Sequence, residues 1–439
     1  MMGSLRRAAT IIAINAIVFC VLAEAAALLL YAFETGRLFY TDRPLRQPVS
    51  DTPAGQLTAD VLNPYFGPSH KSGIPFEVPP ELREDGREAP RLATNNFGFV
   101  SPYNFPIVRS GNEFIIGIFG GSVGVWFCQV GVERLLADLQ QHEFFKARTL
   151  VPLCMAHEGY KQPQQLLVLA YFLSIGQPFD LVINIDGFNE VAISPLNNQQ
   201  NLDISMPSAS HLIPLINLID KGTLTPRKLQ SMATIARDKD RIDGVTARLA
   251  RTPSAALAAV LSRYRIWLTN RYNQEVLAFD SLPATPSPDS LVGAIAPTEQ
   301  RSGTMLFEDI ARNWARASLL MRTMLAAQGI AYVHVLQPNQ YFTSRAFGPE
   351  ESAVALNTAS PFKPGVEEGY PALLAEAAAQ SLGSRTGFFD ATGIFDGETG
   401  PVYIDNCCHY TRVGYLRLAD FIARAVMSVG GAWRATTLP

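Results

Sequence analysis

Two kinds of hydrophobic pattern divide this chain. From Ala8 to Phe33 nearly every position is apolar, interrupted chiefly by Asn15 and Glu24. A run of about 20 such residues is what a helix needs to cross a bilayer. Residues 34–94 are rich in Pro, Gly and charge and read as a linker with short ordered pieces. Regular patterning resumes after Asn95. The run Phe114-Ile-Ile-Gly-Ile-Phe119 has strand character and stops at Gly120-Gly-Ser122. Val130, Val132, Leu135, Leu136 and Leu139 then fall at helical spacing. Further on, 148–154 predicts a short strand, 164–174 a helix and 179–186 a buried strand. An amphipathic helix over about 307–328 precedes a strand at 331–336. A helix over 370–380, a short strand at 388–390 and a closing helix over 415–427 complete the series. Strands alternating with helices predict an α/β fold with a mostly parallel sheet covered on both faces. Residues 191–300 break the rhythm. They are polar, then basic and helical (Lys221 to Arg251), then Pro/Ser-rich (Leu282 to Pro297), and read as a helical insertion or cap. The expected plan is a tail at 1–7, a transmembrane helix at 8–33, a linker at 34–94 and a compact domain over 95–430.

Composition narrows the class. Of 439 residues, 48% are hydrophobic and 17% charged, which suits a large core and excludes global disorder. The formal net charge is −3 with no polybasic block, so nucleic acid is not an expected partner. Arg6 and Arg7 ahead of the apolar run favour a cytoplasmic N-terminus and an exported remainder, against Arg37, Arg43 and Arg46 on the other flank. The small residues at 23–27 suit a signal-peptidase site. The apolar run continues through Leu28 to Phe33, however, which favours an uncleaved anchor. Glu24 must face a partner helix or an interface, because a carboxyl in lipid is costly. Cys20 lies in the apolar run. Cys128, Cys154, Cys407 and Cys408 are too few for a disulfide scaffold and lack zinc spacing. One disulfide and buried free thiols are both open; a Cys128–Cys408 bridge would clamp the loop before the last helix to the helix after Ser122.

Ser122 sits on a strand-to-helix turn, where glycines permit a sharp bend and the helix N-terminus presents free N–H groups. The same turn also suits a phosphate or a plain connection. A nucleophilic serine needs a base, a group that orients the base, and oxyanion donors. Among six histidines, His409 stands out, because Asp405 precedes it by four residues in one loop ahead of the closing helix. His334, inside an apolar strand, reads as structural. Asp186-Gly-Phe-Asn189 and Gly159 each follow a predicted strand, at the sheet edge where ligands of open α/β sheets gather.

Together these blocks resemble the SGNH/GDSL hydrolase superfamily: Gly-Gly-Ser122 after the first strand, Gly159 after the second, Gly187-Phe-Asn189 after the third, and Asp405 with His409 near the C-terminus. The resemblance covers roughly residues 95–430, and its membrane-anchored and polysaccharide-modifying members often show Gly-Gly-Ser in the first block. It implies a flavodoxin-like three-layer α/β/α sandwich with Ser122 as nucleophile, His409 as base and Asp405 orienting it. The Ser122 N–H, the Gly159 N–H and the Asn189 amide would form the oxyanion hole, and no cofactor or metal is called for. Two departures stand out. Gly121 replaces the usual acidic residue, and Asp405 lies four rather than three residues before His409, so the loop either bulges or leaves a Ser–His dyad. Gly120-Gly-Ser-Val-Gly124 also fits the α/β-hydrolase elbow. Few strands precede Ser122, though, and no His-Gly-Gly-Gly motif occurs. The expectation is an extracytoplasmic serine esterase or O-acyltransferase acting on an acylated glycan. The alternative is a non-catalytic accessory protein of a polysaccharide assembly or export complex.

Overall fold

The computed structural model describes residues 2–36, 38–40, 60–79, 82–83, 92–219, 226–249, 251–280, 293, 295–429 and 433. Arg37, Arg43 and Arg46, and most of the Pro/Ser-rich stretch after Leu282, lie outside them. The chain divides into two compact units, Met1–Thr58 with Ile219–Leu291, and Ala59–Leu218 with Val292–Pro439.

The first unit is helical. Helix α1 (Met2–Thr35) contains the span Thr10–Phe33, long and apolar enough to cross a membrane. In the same unit lie two helices of the expected insertion, Pro226–Leu249 and Ala255–Asp280. Glu24 accepts hydrogen bonds from Ser254 Oγ (2.6 Å) and from the Ala255 and Ala256 N–H groups (2.6 and 3.1 Å). The carboxylate of α1 therefore caps the Ala255–Asp280 helix at its donor-rich end, so Glu24 faces a partner helix. Ala27, Leu28 and Tyr31 pack beside it on Val245, Leu249 and Ala258.

The second unit opens with two antiparallel hairpins, β1 (Asp60–Asn63) with β2 (Gly67–His70), and β3 (Pro75–Phe76) with β4 (Leu92–Ala93). These are the ordered pieces of the expected linker, and they are built into this unit. Phe66, at the β1–β2 turn, is fully buried against Phe99 and Phe172. The main sheet follows. Strand β5 (Glu113–Gly120) leads into α2 (Ser122–Trp126), a π-helical turn Phe127–Gly131 and α3 (Val132–Leu139). After a short helix α4 (Glu143–Lys146) come β6 (Thr149–Cys154), α5 (Gln164–Ser174), β7 (Leu181–Asp186), α6 (Phe188–Gln199) and α7 (Ala209–Ile219). If the helices of the first unit are α8 and α9, the series closes with α10 (Gly303–Ala326), β8 (Ala331–Leu336), α11 (Pro349–Ala355), α12 (Lys363–Ala379), β9 (Phe388–Asp390) and α13 (Arg412–Ser428).

All four pairings of the main sheet are parallel, in the order β6-β5-β7-β8-β9. Period-2 alternation decides the layers. Ile116 and Ile118 face Phe127, Leu135, Leu418 and Ile422, whereas Ile115 and Phe119 face Val168, Leu169 and Phe172. Both faces are covered, so β5 and β7 read as continuous apolar runs rather than alternating ones.

One expectation fails. Cys128 bonds Cys154, not Cys408. Cys154 ends β6 in register with Ile118 of the neighbouring β5, which brings it under the turn that carries Cys128. Closing the 26-residue separation contributes on the order of 3 kcal/mol in the chain-entropy picture. The Cys128→Ser/Cys154→Ser variant is expected to lose about that much in denaturant unfolding of the detergent-solubilised chain. Peptide mapping without reductant is expected to recover the 128–154 bond, with Cys407 and Cys408 free.

Candidate active site

The sheet order puts a topological switch between β5 and β7, because the chain leaves β5 for β6 on one side and returns to β7 on the other. Ligand crevices in open α/β sheets open at the carboxyl ends of such strands. Ser122 follows β5 there, Gly159 follows β6 and Asn189 follows β7.

The turn at Ser122 is dictated by packing. Gly120 has φ +152°, and a Cβ on it would overlap the Ile185 carbonyl oxygen. Only glycine takes that conformation without strain. Gly121 is the helix N-cap, and a Cβ there would overlap the Asn189 amide nitrogen. The acidic residue usual in the resembled motif has no room here, because the Asn189 amide fills its place.

His409 reaches this turn from the loop before α13. Its Nδ1 lies 2.5 Å from Asp405 Oδ2, and its Nε2 lies 2.8 Å from Ser122 Oγ. A carboxylate only accepts, so Nδ1 carries the proton and Nε2 is left to accept from the serine hydroxyl. The four-residue spacing resolves as one tight turn. Asp405 Oδ1 accepts from the N–H groups of Cys407 (2.9 Å), Cys408 (3.1 Å) and His409 (3.3 Å), while Oδ2 meets the ring. Burial works to raise the Asp405 carboxyl, but these hydrogen bonds, led by that from His409, hold it below its ordinary value. The segment after β8 fixes the loop from outside. Asn339 donates to the Cys407 carbonyl (3.0 Å), Gln340 to that of Asp405 (3.1 Å) and the Tyr341 hydroxyl to that of Asn406 (3.0 Å). Cys408 is buried beside Ser122, and burial pushes its thiol well above the ordinary range, so it stays protonated.

On the other side, Asn189 Nδ2 donates one hydrogen to the Tyr160 carbonyl (2.8 Å), which leaves its second N–H available. Among the described residues, no hydrogen bond involves the N–H of Ser122 or of Gly159. Gly159 has φ +74°, and a Cβ on it would come within 2.6 Å of the His211 ring. The structure thus brings Ser122, His409 and Asp405 into one hydrogen-bonded chain, with Asn189 against Gly121.

A second serine–histidine–aspartate chain lies nearby. Ser318 Oγ sits 2.7 Å from His334 Nδ1, and His334 Nε2 sits 2.7 Å from Asp186 Oδ1. His334 is 0% exposed and Asp186 also accepts from Trp314 Nε1. No substrate reaches it, whereas the His409 and Asp405 side chains are 21% and 38% exposed. Accessibility, not connectivity, separates the two.

Sequence reasoning missed the shell around the site. Glu190 accepts from the Gln162 N–H (2.8 Å) and the Gly187 N–H (2.9 Å), bracing the β6 and β7 loops against each other; burial, with Asp186 nearby, pushes it up to about 8. It also missed His70, whose Nδ1 lies 2.6 Å from Asp60 Oδ1 and whose Nε2 lies 3.1 Å from Glu158 Oε2. The only available signal was a carboxylate beside Gly159. Among the described residues, two groups bring ligand-type atoms within 4.8 Å of one another, Cys407 with Cys408 and His409, and Asp60 with His70 and His157. In each, one histidine has both ring nitrogens in hydrogen bonds, His409 to Asp405 and Ser122, and His70 to Asp60 and Glu158.

Compared with known proteins, the chain matches no protein-family model and no curated protein.

Burial opposes charge on His70, but its hydrogen bonds to Asp60 and Glu158 more than offset it and raise the imidazole to about 10. A raised histidine stabilises the fold fully below its unfolded value, near 6.5, and that contribution is lost as pH rises through 10. The gap in melting temperature between the wild type and His70→Gln is therefore expected to be widest below pH 6.5 and to close by pH 10. A gap that widens with rising pH would contradict the assignment.

Proposed function

We propose that this protein is a membrane-anchored serine esterase or O-acyltransferase of the SGNH type, acting outside the cytoplasm on an acylated glycan. The observation that carries the reading is the half-exposed chain from Ser122 Oγ through His409 to Asp405 at the sheet's switch point. The strand order supports a flavodoxin-like sandwich, and the span at Thr10–Phe33 behind Arg6 and Arg7 supports an exported domain. The glycan as substrate, and any link to envelope polysaccharide machinery, rest on the sequence resemblance.

The chemistry follows from the geometry. His409 Nε2 takes the Ser122 proton as Oγ attacks the ester carbonyl. Asp405 holds the ring in the tautomer that accepts, and faces the imidazolium that forms. The developing oxyanion meets the N–H groups of Ser122 and Gly159 and the free N–H of Asn189, donors fixed before the reaction. Collapse expels the alcohol, which takes the proton from His409 and leaves an acyl-Ser122 ester. Water or an acceptor hydroxyl, deprotonated by the same nitrogen, then releases the acyl group. The two outcomes differ only in what enters the crevice at that step.

A fluorophosphonate probe is expected to label Ser122 in the wild type and to leave Ser122→Ala unlabelled; a folded wild type that resists labelling would favour the accessory-protein alternative. His409→Ala is expected to lower ester turnover by at least ~10³-fold and Asp405→Asn by a comparable order, as for triads generally. A mild Asp405→Asn effect beside a severe His409→Ala effect would reduce the triad to a dyad.

Gly121→Ala tests the oxyanion side. Its methyl must displace the Asn189 amide, so kcat is expected to fall about 10²-fold, with KM and probe access to Ser122 far less affected. Unchanged kcat would remove Asn189 from the site.

A further inference from the structure

Gly159, whose N–H is the proposed second oxyanion donor, makes no anchoring hydrogen bond of its own among the described residues. Its neighbours do. The His157 N–H donates to the Gly120 carbonyl (3.2 Å), and the Tyr160 hydroxyl donates to the carbonyl of Pro68 in β2 (2.8 Å). Glu158 meets His70 Nε2 at 3.1 Å. The His157 ring lies between His70 (centroids 4.3 Å apart) and Tyr160 (4.7 Å). Three of these five contacts run to the β1–β2 hairpin or to the side chain at its end.

The hairpin register explains why His70 suits this place. Asp60 and His70 are directly paired across the strands, so the carboxylate stands beside the ring it binds. Asp60 settles Nδ1, and Nε2 is left aimed at the loop. The titratable groups around His70 are Asp60, Glu158, the neutral ring of His157 and, from α7, His211, whose imidazole burial lowers below its ordinary value. Burial, with His70 beside it, lowers the His157 imidazole to about 4. Its Nδ1 donates to the Glu158 carbonyl (2.9 Å), and its Nε2 is buried without a partner. A neutral, tightly packed His157 leaves His70 as the charged link between hairpin and loop.

We propose that His70, clamped between Asp60 and Glu158, is a positioning residue that aims the Gly159 N–H at the acyl oxygen bound at Ser122. The proposal rests on the acyl-transfer reading of Ser122 and extends it to residues outside the sheet. His70 touches no reacting atom; it acts through Glu158 on the direction of the next residue's N–H.

The test uses the full chain in detergent, a soluble aryl acetate as substrate, and the variants His70→Ala, Glu158→Gln, Asn189→Ala and Asp405→Asn. His70→Ala is expected to lower kcat by about 10- to 100-fold with KM within about threefold, the scale of a small misplacement of a catalytic group. Glu158→Gln, which keeps an acceptor for His70 but not the charge, is expected to fall between it and the wild type; it also carries the test if His70→Ala does not fold. His70→Ala combined with Asn189→Ala is expected to cost much less than the product of the single effects, because both act on one oxyanion. His70→Ala combined with Asp405→Asn is expected to multiply. Hydrogen exchange is expected to quicken over residues 156–162 in His70→Ala and to stay unchanged over 402–412. The proposal is overturned by kcat within twofold of wild type, by full multiplicativity with Asn189→Ala, by unchanged exchange at 156–162, or by a stoichiometric metal ion that His70→Ala loses. Should the wild type show neither turnover nor probe labelling, the acyl-transfer reading fails, and with it the oxyanion role; the exchange result then decides separately whether His70 holds the loop.

Discussion

The hydrogen bond between Ser122 Oγ and His409 Nε2 joins residues 287 positions apart, and much of the second unit is arranged to keep it short. The serine is fixed by the β5 register and by Gly120, whose conformation and closeness to the Ile185 carbonyl leave no place for a side chain. The histidine is fixed by its own loop, which folds over Asp405, and by three side chains from 339–341 that bind the loop's carbonyls. Between the two anchors stands a parallel sheet with apolar residues on both faces. Such a sheet is stiff because its strands have no solvent face along which to slip without exposing core. That stiffness lets a 2.8 Å contact form between two chain segments whose connection passes through most of the fold.

A polar crevice over an apolar sheet has an energetic cost, since buried polar groups must find partners. The structure meets this in connected networks. Asp186 gathers His334, Trp314 and Asn184, and Glu190 spans two loop N–H groups while burial holds its carboxyl toward the neutral form. The buried Ser318–His334–Asp186 chain belongs to this scaffold. It reproduces the connectivity of a Ser–His–Asp triad in a fully buried place, where its members satisfy one another's polar atoms. A triad is thus defined by access and by nearby oxyanion donors as much as by its hydrogen bonds.

The two sides of the crevice are built differently. The His409 side is secured within one loop plus the segment after β8. The Gly159 side is joined to a hairpin that precedes the sheet in the chain and meets the β6 loop at Glu158 and Tyr160. The Cys128–Cys154 bond adds a covalent tie between the helix after Ser122 and the strand that feeds that loop. Ser122 and the β6 loop are therefore linked twice, once through the sheet and once through sulfur.

The local patterns settled a good deal. Apolar runs broken by glycine predicted strands at 114–119, 179–186 and 331–336, and helical spacing predicted 164–174 and 415–427, each within three residues of the element found, because strand and helix periods are set by the backbone and visible in any window of ten residues. The Gly-Gly-Ser turn and the Asp405–His409 loop were legible because each compresses its chemistry into a few adjacent residues. The Cys128–Cys154 pairing, the His70 clamp and the Glu190 brace were not, because each joins segments brought together only by strand order and register. Residues 34–94 show the limit most plainly. Their composition is that of a linker, yet Phe66 and His70 are held by the core and by Glu158. Composition reports whether a segment can bury itself alone; whether a neighbour buries it is decided by the assembled sheet.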